Sequence, residues 1–208
     1  MNDMYSLQEI LKTRAICEAE NKYILFHGTD IYFSEIDLDK PKVTSDFGKG
    51  FYLTNILEQA VVWAGNRRRQ KIVAEYGEPV IPDFRSAYVL KYELSFDKLK
   101  KLNLNVKVFD NYTREWLDVI LLGRRHLGAN DVRVADIGNL LAEYDVIAGP
   151  MADNKLQVKL NDYEEEPYDR NELLEKIQME RANYQIVFRT EKSLNALNRL
   201  DISSDMKF

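Results

Sequence analysis

The sequence predicts an α+β domain, and the pattern of its apolar residues is the main reason. Short apolar runs that end at glycine are interrupted by segments of helical periodicity, without the regular strand–helix alternation of a doubly wound sheet. No Gly-x-Gly-x-x-Gly turn follows a predicted strand, so a dinucleotide-binding fold of that class is not indicated. The length of 208 residues, without repeats or a linker-like segment, fits one domain over residues 1–208.

Composition and charge exclude several classes of protein. Lys and Arg together number 29 and Asp and Glu 34, so the net charge is −5 and there is no global basic excess to attract nucleic acid. The single cysteine, Cys17, cannot form an intramolecular disulfide, which fits a reducing compartment. No segment approaches the roughly 20 apolar residues of a membrane span, and residues 1–15 lack the apolar run of a signal peptide. We therefore expect a cytoplasmic protein without a membrane partner.

The N-terminal part is predicted to run helix, strand, loop, strand, helix. Apolar residues at helical spacing predict a lead-in helix over about 5–20, with Ser6 as its N-cap. The apolar run in "KYILFHGT" predicts a buried strand that ends at His27 and Gly28, and a second short strand follows the glycines of "DFGKGFYLT". Helical periodicity then resumes in "ILEQAVVWAGNRRRQK".

The remaining elements are predicted from alternation and from further apolar runs. A half-buried strand is expected over 87–96 and a packed helix over 116–122. Short strands are expected in "YDVIAGPMAD", "QVKL" and "NYQIVFRT", and a charged helix over 170–182. The segment "EKSLNALNRL" predicts a last helix with Thr190 as its N-cap, and the acidic run 161–169 is interpreted as a solvated loop.

His27 is the first candidate site residue. The chain has only two histidines, and His27 lies where an apolar strand leaves the core, next to a glycine whose backbone can approach a ligand closely. Taken alone, a His-Gly pair is more often part of a turn, and the glycines around Lys49 are also typical of a β-bulge beside core aromatics. The conjunction of the motifs is far more specific than its parts.

The motifs "LFHGT", "FGKGFYLT" and "QAVVWA" together resemble the first two NAD-binding motifs of poly-ADP-ribose polymerases and diphtheria-type toxins, the His-Tyr-Glu branch of ADP-ribosyltransferases. The overall resemblance is to an uncharacterised group of prokaryotic ADP-ribosyltransferase-like domains, which share these motifs, "YD.I.GP.AD" and a late "Q-I-x-F-x-T" strand. It spans about residues 23–197. It implies a split β-sandwich of short strands with surrounding helices, and NAD as a co-substrate without a metal.

The first motif, by this resemblance, would hold the nicotinamide end of NAD. His27 would hydrogen-bond a ribose hydroxyl, and Gly28 would bind the nicotinamide carboxamide through its own N–H and C=O. Thr29 would take the adjoining hydroxyl position.

The second motif would supply aromatic walls to the same site. Tyr52 would stack on the nicotinamide, and Trp63 would take the place of a second aromatic wall. Gly50 belongs to the same predicted site. Ala60 replaces a serine that binds the carboxamide in the polymerases, so Gln59 is the candidate to supply that contact.

The third motif departs from the branch that the first two resemble. Its glutamate would stabilise the positive charge that grows on the ribose as nicotinamide leaves, but the matching residue is the neutral Gln185. We expect His27, Tyr52 and Gln185 to carry catalysis, and single ADP-ribose units to be transferred instead of polymers. Asp153, and with less support Asp46, are candidates for a compensating carboxylate, although a loop aspartate is more often a turn cap.

The resemblance implies transfer of ADP-ribose from NAD to a protein, RNA or DNA acceptor, in the manner of a toxin or phage-defence effector that an antitoxin would restrain. Two alternatives stay open. One is an NAD-binding module with weak or no transfer, or an NAD glycohydrolase; the other is a structural domain whose acidic run 161–169 is the partner surface. The basic clusters 67–71 and 124–126 are either solvated helix faces or, beside the cleft, contacts for a diphosphate or a nucleic acid.

Overall fold

The fold is that of a computed structural model, in which the described residues form two sheets and the helices around them. The described ranges are 3–14, 17–40, 45–77, 86–124, 133–152, 172, 174–175, 183–200 and 206–207. Asp153, the predicted strand "QVKL", the acidic run 161–169 and nearly all of the predicted helix 170–182 lie outside these residues.

Helices and strands are interleaved along the chain, and two strands precede the glycines of "DFGKGFYLT". Their order is α1 (Asp3–Arg14), β1 (Cys17–Ala19), β2 (Lys22–Thr29), β3 (Phe51–Leu53), α2 (Leu57–Tyr76), β4 (Tyr88–Ser95), α3 (Phe96–Lys101), β5 (Val106–Val108), α4 (Arg114–Gly123), α5 (Arg133–Ala142), β6 (Val146–Pro150), β7 (Tyr184–Phe188), α6 (Glu191–Leu194), β8 (Leu197–Arg199) and β9 (Met206–Lys207).

The strands form two separate sheets. The first has the order β1-β2-β4-β8, with β9 also paired to β4, and the second has the order β3-β7-β6-β5. Neighbouring strands are antiparallel except β5 and β6, which are parallel. Most strand pairs are antiparallel, and the strands of each sheet come from separated parts of the chain, so the predicted α+β class is confirmed.

The main core lies between the sheets. Leu25 and Tyr92 of the first sheet share one buried cluster with Ile186 and Phe188 of the second. A second cluster, which includes Trp116 of α4, covers the other face of the second sheet. A third, smaller cluster packs α2 onto the outer face of the first sheet. Because side chains alternate across a strand, successive residues of β2 and β3 enter different clusters.

Among the described residues, the backbones of the two sheets pair at one point, between β2 and the residue that follows β3. Phe26 and Thr54 form an isolated antiparallel bridge there. The Phe26 N–H donates to the Thr54 carbonyl over 2.8 Å, and the Thr54 N–H donates back over 3.0 Å. Beyond this bridge β2 continues for three more residues, to Thr29, and its pairing with β4 is regular to the end. The bridge therefore marks where a split between the sheets begins.

The N-terminal helix is shorter than predicted. It spans Asp3–Arg14 instead of about 5–20, and Ser6 lies inside it and not at its N-cap. Cys17–Ala19 forms a strand that pairs with β2 across a two-residue turn. Asn21 takes a left-handed conformation in that turn, with φ of 60°, which asparagine tolerates better than most residues. Residues 17–19 therefore pair in this hairpin and do not extend the helix.

The final predicted helix is also only partly present. Thr190 is its N-cap and accepts a hydrogen bond from the Ser193 N–H, as predicted, but the helix ends at Leu194. Residues 197–199 instead form β8 on the edge of the first sheet, opposite Tyr92–Leu94. Asn198 donates from its side chain to Glu93 over 2.9 Å, so an unpaired sheet edge decides the conformation of this segment.

Other predicted elements are confirmed with small changes of boundary. These are β2, β3, α2, β4, α4, β6 and β7, whereas α3, β5 and α5 were not predicted. None of the helices in the described ranges is long and apolar enough to cross a membrane.

Candidate functional site

The open edge of β2 is the centre of the candidate site. In an extended strand the backbone N–H and C=O of alternate residues face the same edge. Because both groups of Phe26 face Thr54, those of Gly28 face that edge as well, beyond the bridge. β4 pairs with the opposite edge of β2, and no described strand pairs with Gly28 on this one. A backbone donor and acceptor therefore stand side by side without a partner strand among the described residues.

The side chain of His27 spans the split that begins after this bridge. Its Nδ1 atom lies 2.8 Å from the carbonyl oxygen of Tyr52, and its ring contacts those of Phe51 and Phe33 at centroid distances of 4.6 Å and 5.5 Å. A carbonyl oxygen can only accept a hydrogen bond, so Nδ1 carries the proton. The Nε2 atom is then an acceptor.

The charge of His27 is set by its surroundings. Burial is the main cause that lowers its pKa from 6.5 to about 4. The hydrogen bond to Tyr52 opposes this change, and the positive charges of Arg67 and Arg199 lower the pKa further. The imidazole is therefore neutral at physiological pH, which keeps its acceptor available.

Gly28 also fixes the distance between β2 and α2. A Cβ atom at this position would lie 2.1 Å from the Ala60 carbonyl oxygen and 2.9 Å from the Ala64 nitrogen. The strand and the helix are thus in direct backbone contact, which requires glycine in the strand and small residues in the helix. Ala60 is almost fully buried in this contact. Ala60 therefore serves packing.

Tyr52 ties β3 to the glycine-containing loop before it. Its hydroxyl accepts from the Phe47 N–H over 3.0 Å and donates to the Gly48 carbonyl over 2.7 Å. Burial, with the nearby negative charge of Asp46, raises the pKa of Tyr52, so the hydroxyl stays protonated. The ring is only partly buried, against the outer face of the second sheet.

Gly50 has a packing role that its predicted place in the ligand site did not include. A Cβ atom there would lie 2.4 Å from Val187 Cγ2 and 2.8 Å from the Phe188 carbonyl oxygen. The absence of a side chain lets the loop approach β7, the strand that carries Gln185. Gly50 thus brings the second and third motifs together.

Thr29 and Gln59 make local hydrogen bonds beside the split. The Thr29 hydroxyl both donates to and accepts from the Ile31 backbone, at 3.1 Å in each direction, so it is engaged in a turn. Gln59 Oε1 accepts from the Thr54 hydroxyl over 2.9 Å. That bond holds the Gln59 side chain beside the bridge and orients its amide nitrogen away from Thr54.

Trp63 is half exposed, with 49% of its surface accessible, although it lies on the helix that packs against Gly28. Arg67 and Lys71 follow it at intervals of four residues, on the same row of α2. Both reach the carboxylate of Asp30, Arg67 at 3.8 Å and Lys71 at 3.6 Å. The first basic cluster therefore borders the end of β2 next to the candidate site.

Gln185 lies in β7 and is buried, with 8% of its surface accessible. Its Nε2 atom donates to Asp46 Oδ2 over 2.6 Å. Arg124 donates from Nε to Asp46 Oδ1 over 2.6 Å, and the Ala152 N–H donates to Oδ2 over 3.1 Å. The third-motif residue Gln185 thus lies beside a buried carboxylate that is paired with a partly buried guanidinium.

The structure brings the three predicted catalytic residues into one region. His27 contacts the backbone of Tyr52, and Tyr52 is paired with Val187, two residues beyond Gln185. Asp153 lies outside the described residues, while Asp46 accepts a hydrogen bond from Gln185, the third-motif residue. Among the described residues, no group of three His, Cys, Asp or Glu side chains could hold a metal ion.

Sequence reasoning assigned no role to Asp30, and it did not pair Arg124 with Asp46. Both predictions for the cluster 124–126, a solvated helix face or a contact for a diphosphate or a nucleic acid, leave Arg124 accessible, but only 16% of its side chain is accessible. It is separated from Asp46 by 78 residues, so no local spacing signals the ion pair. For Asp30 a signal existed, because it directly follows the "HGT" motif.

Comparison with known proteins places the chain in a family without assigning it an activity. The chain belongs to the family described as "Protein of unknown function (DUF3990)", which matches residues 23–199. No curated protein and no solved structure matches it.

Proposed function

We propose that the chain is an NAD-dependent mono-ADP-ribosyltransferase. The observation that carries this proposal is the unpaired backbone edge at Gly28, placed next to a neutral histidine whose Nε2 accepts hydrogen bonds. A primary carboxamide presents one donor and one acceptor side by side, which is the complement of a strand edge. The resemblance of the motifs to ADP-ribosyltransferases supports the same ligand.

In this proposal NAD lies along the split between the sheets. Gly28 binds the nicotinamide carboxamide through its backbone, and His27 Nε2 accepts from a ribose hydroxyl. Tyr52 and Trp63 supply aromatic faces for the nicotinamide ring. Tyr52 is partly buried in the second sheet, and Trp63 is half exposed on α2. Arg67 is near enough to lower the pKa of His27, and with Lys71, which also reaches Asp30, it would attract the diphosphate.

The reaction breaks the bond between the nicotinamide nitrogen and C1′ of the ribose. The bonding electrons leave with nicotinamide, and positive charge develops on the sugar. An O–H or N–H group of the acceptor then forms a bond to C1′ and loses its proton to solvent. Gln185 would stabilise the charged sugar through the oxygen of its amide, which is weaker than a carboxylate and favours transfer of single units.

A second candidate is an NAD-binding module that does not transfer ADP-ribose. The observation that favours it is the neutral, buried Gln185, whose amide is engaged with Asp46. A third-motif residue without charge stabilises the positively charged transition state less than a carboxylate would, while NAD can still bind. Measurable NAD binding with nicotinamide release at background would select this candidate.

The test is incubation of the purified protein with labelled NAD and a whole-cell lysate, followed by nuclease or protease in parallel samples. Tyr52→Ala is the site variant, and Tyr5→Ala, an exposed tyrosine of α1, is the matched control. Label in a macromolecule with the wild type and Tyr5→Ala, but not with Tyr52→Ala, would support a transferase. The sensitive treatment would identify a protein or a nucleic-acid acceptor. Equal labelling by all three proteins would reject the assigned site.

A further inference from the structure

Asp46 accepts hydrogen bonds from three groups that come from three different parts of the fold. Its Oδ2 atom receives Gln185 Nε2 at 2.6 Å and the Ala152 N–H at 3.1 Å. Its Oδ1 atom receives Arg124 Nε at 2.6 Å, and Arg124 also donates from Nη2 to the Ala152 carbonyl over 2.6 Å. The carboxylate is thus neutralised by a guanidinium and fixed from both sides.

These contacts decide which way the amide of Gln185 is turned. A carboxylate only accepts hydrogen bonds, so the atom of Gln185 that faces Asp46 must be the amide nitrogen. The amide oxygen, Oε1, then points away from Asp46. No described residue donates a hydrogen bond to it. The acceptor of Gln185 that remains for a ligand is therefore the amide oxygen, Oε1.

The loop that carries Asp46 is itself held beside the second motif. The Tyr52 hydroxyl bonds to Phe47 and Gly48, the two residues that follow Asp46. Gly123, the residue before Arg124, has no room for a side chain, since a Cβ atom would lie 2.5 Å from the Asp46 carbonyl oxygen. The position of the carboxylate is consequently determined by packing on two sides.

We propose that Asp46 is a positioning residue, which holds Gln185 so that its amide oxygen faces the ribose of bound NAD. The inference rests on the proposed function. It explains why a neutral residue stands at the third motif: a glutamate at 185 would place a second carboxylate against Asp46, and two carboxylates at that distance cannot both be ionised. Arg124 is already engaged by Asp46 and Ala152.

The reciprocal exchange of the two side chains tests this arrangement. In Gln185→Glu the two carboxylates compete for one proton, and we expect kcat for nicotinamide release to fall at least tenfold, with a new pH dependence. In the double variant Asp46→Asn/Gln185→Glu the asparagine amide donates to the new glutamate and its oxygen faces Arg124, while the bond from the Ala152 N–H is lost. We expect the double variant to recover at least tenfold over Gln185→Glu.

Single substitutions of Asp46 separate positioning from binding. In Asp46→Asn one amide donor must face either Arg124 or Gln185, so we expect kcat to fall 10- to 100-fold while KM for NAD changes less than threefold. Asp145→Asn is the matched control, because Asp145 also accepts hydrogen bonds, from Thr190 Oγ1 and the Asn105 N–H, but lies at the opposite end of β6. We expect its kcat to be unchanged.

A readout independent of NAD is the side-chain amide signal of Gln185 in a nitrogen-15 NMR spectrum. We expect slow proton exchange for this amide in the wild type and fast exchange in Asp46→Ala. An amide that is unaffected by Asp46→Ala would overturn the orientation argued above. Faster proton exchange of the Gln185 amide in Asp46→Ala, together with an unchanged kcat in Asp46→Asn, would overturn the positioning role. A protected amide in a wild type that releases no nicotinamide would reject the proposed function, and the positioning role with it, while the orientation would stand.

Discussion

The Nδ1 atom of His27 lies 2.8 Å from the carbonyl oxygen of Tyr52 and so joins the first motif to the second across the split between the sheets. The backbones of β2 and β3 pair only at Phe26 and Thr54, and beyond that point the imidazole takes the place of a backbone donor. The same bond determines the tautomer of His27. The side chain of His27 therefore donates from Nδ1 to a backbone carbonyl of β3 and presents Nε2 as an acceptor to the ligand site.

The free energy of unfolding is expected to depend on pH through His27. The folded-state pKa of about 4 lies below the unfolded value of 6.5, so the unfolded chain binds more protons between these values. Above about pH 6.5 His27 is neutral in both states and does not lower the free energy of unfolding. As the pH is lowered toward 4, the titration of His27 lowers that free energy by about 2–3 kcal/mol. Urea unfolding at a series of pH values measures this.

The control for this prediction is His27→Asn, whose amide nitrogen can replace Nδ1 as the donor to Tyr52 but does not titrate. Its stability should fall by about 2–3 kcal/mol less than that of the wild type over the same range. Parallel pH profiles for the two proteins would show that His27 is not the group responsible.

Gly28→Ala is expected to lower the free energy of unfolding by about 1–3 kcal/mol, because the new methyl group overlaps the Ala60 carbonyl and forces α2 away from β2. The matched control is Gly65→Ala in the same helix, where a Cβ atom meets nothing within 4 Å. That variant should be more stable than the wild type by up to about 1 kcal/mol, since alanine favours helix. Equal effects of the two substitutions in chemical denaturation would contradict the close contact at Gly28.

Tyr52→Phe separates the ring of Tyr52 from its hydroxyl. The Phe47 N–H and the Gly48 carbonyl would lose their shared partner, and we expect a loss of about 1–3 kcal/mol in the free energy of unfolding. NAD affinity should change little, since the aromatic face is retained, whereas Tyr52→Ala should remove it. Calorimetric titration with NAD measures both variants, and a large loss of affinity in Tyr52→Phe would assign the hydroxyl a direct role in binding.

Trp63 offers an optical test of the proposed ligand site. The chain has two tryptophans, of which Trp116 is completely buried and Trp63 is half exposed. NAD should quench the fluorescence of Trp63, and Trp63→Ala should weaken NAD binding about tenfold with little change in stability. Trp63→Phe keeps an aromatic face and serves as control. Quenching that persists in Trp63→Phe would place NAD elsewhere.

The strands of the candidate site could be predicted from the sequence because their signals are local. The apolar run before His27 and the glycines before Tyr52 mark two short strands, and both are present. The helix after Tyr52 was predicted for the same reason, from the periodicity that packs Ala60 and Ala64 against Gly28. Each of these signals is contained within about ten residues of sequence.

Where the prediction was wrong, strand pairing and an ion pair decide the structure. Cys17–Ala19 leaves the helix for a hairpin, and 197–199 becomes a strand because the edge of β4 is available to it. Arg124 has the sequence context of a surface residue, yet it is drawn inward by Asp46. The β4–β8 pairing and the Asp46–Arg124 ion pair join residues far apart in the chain, so local periodicity carries no information about them.

The sequence by itself determined the fold class, the order of the strands around the two glycine motifs, and the set of residues, His27, Tyr52 and Gln185, to consider as a site. These follow from hydrophobic periodicity and from motif resemblance, which act within short segments. Only the tertiary structure decided that His27 is neutral and bridges to Tyr52, and that Gln185 is oriented by Asp46. Burial and the direction of hydrogen bonds set those properties, and Gln185 and Asp46 meet across 139 residues of chain.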